Sequence, residues 1–148
     1  MRRICILPPM RLGPTAIDTG ALLALAAPRD QHHDEAVAIA RAHLAEGRRW
    51  VGSVLVLAEM HGHLLRWRAP RDAHRIVEQL RIDPAYDWRA VDSALIEAAT
   101  VNWLLRYADH RLSLPHAVTC ELMRQEGIDT VFAFDQDFVS MGFQLARA

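Results

Sequence analysis

Short β-compatible runs recur along this chain, and helical pattern always separates one from the next. They are TAID at 15–18, RRWVGSV at 48–54, YDWRAV at 86–91 and TVFAF at 130–134. Strands interrupted by helices cannot close as hairpins. They need crossover connections, which place them parallel in one sheet with helices on both faces. The expected order is β-α-α-β-α-α-β-α-α-β. The expected class is α/β, a three-layer fold with a central, mainly parallel sheet of four to five strands flanked by helices. GFQLARA at 142–148 is the candidate fifth, edge strand.

The helices have local reasons. Residues 21–27 form helix readily, and Pro28 stops them. From Asp30, a capping residue, Ala36, Ile39, Ala40 and Leu44 make one apolar face, and Gly47 ends the helix. Ser53 caps a helix carrying Leu55, Leu57, Ala58, Leu64 and Leu65; Pro70 opens another, with Ile76, Val77 and Leu80 inward. Asp92 caps the long stretch SALIEAATVNWLLRYA, and Ser113 caps the helix that runs to Gly127. The chain has 148 residues, 51% of them hydrophobic, so one domain with a full core is expected over 15–148. Residues 1–14 contain Pro8, Pro9, Gly13 and Pro14 and read as a loose leader, with Met10 an alternative start. The apolar run after Arg2 and Arg3 is too short for a signal peptide.

Several function classes drop out. A net charge of −1 gives no global field of the kind a nucleic-acid binder shows. No stretch reaches the roughly 18–20 apolar residues of a membrane span. Cys5 and Cys120 read as cytosolic thiols rather than a disulfide framework, so a cytoplasmic protein is expected. No Gly-rich phosphate loop or nucleophile elbow is present. All 17 basic residues are Arg, whose planar fork suits phosphate.

The acids carry the chemistry. In open α/β sheets, sites form outside the carboxyl ends of the strands. Asp18 ends the first strand, and Asp135 follows the last. Glu59 lies in the apolar run VLVLAEMHGHL, just past the second strand. Each alone has an ordinary reading: a helix cap, a turn, a solvated face. Together they form a set of hard oxygen ligands with few His or Cys among them, which suits Mg2+, or Mn2+ as the alternative. Such ions activate water and stabilise charge on a phosphodiester under attack.

Four stretches, AIDTGALLAL at 16–25, SVLVLAE at 53–59, YADHRLSLPHAVTCELMRQEGI at 107–128 and VFAFDQDF at 131–138, resemble the PIN-domain family. Within that family they look more like the VapC-type toxins of bacterial toxin–antitoxin pairs. The resemblance covers about residues 15–146 and implies a PIN-like fold and metal-dependent endoribonuclease activity leaving 5′-phosphate and 3′-hydroxyl ends. It also implies a homodimer and inhibition by a small VapB-like antitoxin. Asp18, Glu59 and Asp135 match family acids, and Thr19 and Ser53 match supporting hydroxyl residues. Gly20 stands where a small polar residue is common.

One position departs from the pattern. Where the family has LS-x-x-DA, this chain has LSLPHA, with His116 in place of the third acid. Neutral imidazole brings one nitrogen and no negative charge, and it suits softer metals than Mg2+. Three outcomes are open: a weakened or inactive nuclease that binds antitoxin or RNA without cutting, a preference for Mn2+ or another transition metal, or substitution by Asp109 through a water. Asp137 is a candidate outer ligand or a solvated turn residue. Arg66, Trp67 and Arg68 form a basic and aromatic patch suited to RNA backbone or a partner. The neighbouring apolar helices offer a groove for an antitoxin segment or a second subunit. His61 and His63, two apart on a helix, point different ways and make a poor zinc pair. His32 and His33 read as a solvated helix start.

Overall fold

The computed structural model describes residues 12–148. The expected leader, Met10 and Cys5 therefore lie wholly or largely outside the described residues.

The sheet has five strands: β1 (Thr15–Ile17), β2 (Trp50–Ser53), β3 (Tyr86–Arg89), β4 (Thr130–Phe132) and β5 (Gln144–Leu145). Their spatial order is β3-β2-β1-β4-β5, and every pair is parallel. The class read from the sequence is the class observed. The edge expected from GFQLARA is β5, where Thr130 pairs with Gln144 and Val131 with Leu145. β1 lies between β2 and β4, with Ala16 opposite both Val51 and Val131. The ends of β1, β2 and β4 therefore open on the same edge, with β1 at its centre.

The helices are α1 (Thr19–Ala26), α2 (His33–Ala45), α3 (Val54–Leu64), α4 (Pro70–Ile82), α5 (Ser93–Ala99), α6 (Leu114–Glu126) and the short α7 (Asp137–Ser140). Two cores back the sheet. One gathers Ile17, Leu22, Ile39, Val56, Met60, Leu64 and Phe132 beneath α1 to α4. The other gathers Val51, Ala99, Trp103, Val118, Met123, Val131 and Phe138 beneath α5 to α7. This is the expected three-layer arrangement, and Cys120 is buried in the second core as a free thiol.

Several local readings are corrected. Leu44 is 73% exposed, because α2 turns only Ala36, Ile39 and His43 fully into the protein. Ala58 and Leu65 also lie on the exposed side of their helix. Asp30 does not cap α2: its carboxylate takes the His32 amide in a tight turn, and the helix begins at His33. His32 and His33 are half-buried rather than freely solvated. His32 stacks on Phe134 at 4.3 Å, and His33 Nδ1 lies 2.8 Å from the Ala24 carbonyl. The long stretch after Asp92 is not one regular α-helix; α5 widens into a π-helical segment over Thr100–Leu105. Asp92 does cap α5, accepting from the Leu95 amide at 2.8 Å. Gly127, with φ +67°, ends α6 in the left-handed conformation that glycine adopts without strain. No helix among the described residues is long and apolar enough to cross a membrane.

Candidate active site

Asp18 is the sole residue between β1 and α1. Its amide donates to the Phe132 carbonyl of β4, and its own carbonyl accepts from Leu22 at the start of α1. The backbone is thus tied on both sides. The side chain is not. Asp18 is 5% exposed, makes no capping bond to α1, and its Oδ1 is buried with no hydrogen-bond partner. Burial raises its pKa above the ordinary carboxylate value. The nearby His116 and the amides of Gly20 and Thr19 pull the other way, while Glu59 adds to the rise.

Glu59 is half-buried on α3, and the Thr19 hydroxyl donates to its Oε2 at 2.8 Å. Thr19 begins α1, so this bond ties the second acid to the residue beside the first. A Cβ at Gly20 would stand 3.8 Å from Asp18 Oδ2, an ordinary contact, so sterics do not demand the glycine there. Ser53 ends β2 at the N-cap position of α3, but its buried hydroxyl caps nothing and has no partner, which corrects the capping role expected of it.

Asp135 follows β4 and is exposed; its Oδ1 accepts from the Asp137 amide at 2.9 Å. Asp137 is no loose turn residue. It begins α7, and His110 Nδ1 lies 3.1 Å from its carboxylate. Asp109, next to His110, is exposed on the turn before α6.

His116 sits in the first turn of α6, its amide 3.4 Å from the Ser113 hydroxyl that caps the helix. Phe138 of α7 stacks against the ring at 4.3 Å. The ring lies between two of the acids: Nδ1 is 3.7 Å from Asp18 Oδ1, and Nε2 is 3.6 Å from Asp135 Oδ2. Both separations exceed a hydrogen bond of about 2.7–3.2 Å, and Nε2 is buried without a partner. Glu59, Thr19, Asp18, His116, Asp135 and Asp137 thus form a connected row along the carboxyl edge of the sheet. Among the described residues, no group of three or more His, Cys, Asp or Glu side chains is arranged to hold a metal ion. The donor chemistry nonetheless suits a cation, since Asp18 Oδ1 and His116 Nε2 are both buried without a hydrogen-bond partner.

Arg66, Trp67 and Arg68 follow α3. Trp67 is 47% exposed, with the Arg68 guanidinium 4.9 Å from its ring centre. Arg68 also donates to the Ala26 carbonyl at 2.7 Å, which places the patch at the end of α1 remote from Asp18. His61 Nε2 lies 2.8 Å from His74 Nδ1 of α4, a pairing that spacing along one helix does not reveal. His110 also escaped the sequence reading; the only available sign was its adjacency to Asp109 in YADHRLS.

A family model described as the PIN domain matches residues 15–144. The chain belongs to the PIN-domain family. Among solved structures, this PIN domain is similar to VapC20 of Mycobacterium tuberculosis, described as a sarcin–ricin loop cleaving toxin. The identity is 27% and the TM-score 0.78, covering 90% of this chain and 99% of that one. It also shares its fold with VapBC2 of Rickettsia felis, bound to a promoter DNA fragment, at 10% identity and TM-score 0.66, covering 90% of this chain and 97% of that one. FitAcB of Neisseria gonorrhoeae matches at 15% identity and TM-score 0.63, covering 90% of this chain and 96% of that one. Compared by sequence with curated proteins, the PIN domain matches none.

Proposed function

We infer that this PIN domain is a divalent-metal-dependent endoribonuclease, the toxin of a VapBC-type pair acting in the cytoplasm. The observation that carries the reading is Asp18: a buried carboxylate with an unpartnered oxygen, at the carboxyl end of the central strand, in a row with Glu59, His116 and Asp135. A buried acid without a partner costs stability, and such costs persist at sites that bind. The likeness to the M. tuberculosis toxin supports RNA as substrate.

A bound Mg2+ or Mn2+ would supply positive charge at the scissile phosphodiester and acidify a water. Asp18, Glu59 and Asp135 would hold it. Thr19 fixes the Glu59 carboxylate through its hydroxyl. Burial raises the proton affinity of Asp18 in the metal-free protein, and a cation held there would favour its ionised form. Ser53 presents a hydroxyl at the same end of β2, and Asp137 steadies Asp135 through its amide. Asp109 lies on the exposed rim. Arg66, Trp67 and Arg68 are assigned to contacts with RNA or a partner away from the reacting phosphate. The resemblance to VapC-type toxins supports a small VapB-like antitoxin as partner, with a homodimer as the expected assembly.

The test is RNA cleavage with Mg2+ and then Mn2+, with Asp18→Ala as the control. Cleavage by the parent that vanishes in the variant upholds the reading; equal cleavage by both rejects it. A second reading, antitoxin or RNA binding without cleavage, draws on the His116 ring standing between Asp18 and Asp135. A silent parent that gains cleavage as His116→Asp would establish it.

A further inference from the structure

The position that departs from the family pattern sits among groups that give it a specific use. His116 presents a different nitrogen to each neighbouring acid. Nδ1 stands 3.7 Å from the buried Asp18 Oδ1, beyond hydrogen-bond reach, which leaves the Asp18 carboxylate free for the ion. Nε2 faces Asp135 and is buried with no partner. Phe138 stacks on the ring and the Ser113 cap anchors its helix turn, so the imidazole is held rather than mobile. Two donors bound to one ion at about 2.1 Å stand roughly 3.0–3.6 Å apart for bond angles from 90° to 120°. The Nε2 to Oδ2 spacing of 3.6 Å falls at the upper end of that span.

We propose that His116 is a metal ligand through Nε2, paired with Asp135, and that it selects a transition-metal ion over Mg2+. The proposal rests on the divalent-metal reading above and narrows its cofactor class. Mg2+ takes oxygen ligands and holds its waters; imidazole nitrogen suits first-row transition ions. Protein donors that do not close a full shell leave positions for water and phosphate oxygens, as a hydrolytic site requires.

The protein is stripped with EDTA and titrated calorimetrically with MgCl2 and with MnCl2, beside His116→Asp and His116→Gln. Mn2+-loaded samples are examined by pulsed EPR for coupling to imidazole nitrogen. The expected result is nitrogen coupling in the parent, absent from both variants. The preference for Mn2+ over Mg2+ should also fall at least about tenfold in His116→Asp. His116→Gln keeps the site neutral, so loss of coupling there cannot be charged to an added carboxylate, and circular dichroism confirms that each variant is folded. Mn2+ that fails to bind, coupling that survives both substitutions, or an unchanged metal preference overturns the proposal. RNA cleavage is scored on the same samples. Nitrogen coupling in a protein that cuts no RNA upholds the ligand and defeats the nuclease reading. Cleavage that depends on Asp18 without nitrogen coupling does the reverse.

Discussion

Asp18 and Glu121 are both acids sealed inside this protein, yet they are treated oppositely. Glu121 of α6 is 0% exposed. Its two oxygens accept from Trp103 Nε1 at 2.9 Å, Asn102 Nδ2 at 3.3 Å, Gln125 Nε2 at 2.8 Å, and Arg124 through Nε and Nη2. The Arg124 guanidinium, aided by the other donors, holds its pKa down to about 2. Asp18 has a buried oxygen with no donor, and burial lifts its pKa. A carboxylate kept for the fold is saturated with donors; one kept for binding is left short of them.

That contrast can be broken by exchanging the roles. The largest effect is expected on catalysis. Asp18→Asn should lower RNA cleavage by about 100- to 1000-fold without lowering the melting temperature, because the substitution removes a buried charge rather than a satisfied one. Cleavage kinetics and a thermal melt on the same preparation check both halves. A variant that loses activity only because it unfolds would erase the distinction.

Glu121→Ala should do the opposite. It strands the buried Trp103 donor and the Asn102 amide, and is expected to cost about 3 kcal/mol. The melting temperature should fall by roughly 6–12 °C, while cleavage per folded molecule at low temperature stays near the parent's.

Acid titration sharpens the comparison by sign. The folded pKa of Glu121 is depressed, so its stabilisation is complete above the unfolded carboxylate range and is lost as pH falls from about 4.5 toward 2. The folded pKa of Asp18 is raised, so its ionisation costs stability as pH rises through the carboxylate range and beyond. Denaturant melts from pH 2.5 to 6 should show the low-pH loss flattened in Glu121→Gln, by about 2 kcal/mol. An unchanged pH profile would show that Glu121 is not the group responsible.

The smallest effect is expected at Thr19→Val, which keeps the shape but removes the donor to Glu59. About 1 kcal/mol of support for that carboxylate would go, read as a drop in divalent-ion affinity of about fivefold by calorimetry.

The strand–acid–helix junction at 15–20 and the FDQD stretch were legible in sequence because each is local: an apolar run, one acid, then a helix start. The adjacency of β1 and β4 was not legible, because strand order is set by packing and not by local pattern; the pairing of Ile17 with Phe132 supplies it. Glu121 was legible only in part: Arg124 and Gln125 stand three and four residues on, but Trp103 and Asn102 lie 18 and 19 residues back on the π-helical segment. Leu44 misled because a helical period says which residues share a face, not how much of that face is covered. The four-residue α7 is too short to carry a period at all, yet it supplies the Phe138 ring behind His116.

A junction of one residue between β1 and α1 has a further consequence. Inserting or deleting a residue there would shift a central strand against two neighbours or rotate the helix that follows, so Asp18 is fixed in space by the scaffold itself. Substitution of the side chains around it would then change the surroundings of a stationary anion without moving it. An exchange such as the one at 116 is the kind of change this architecture leaves available for altering what the anion meets.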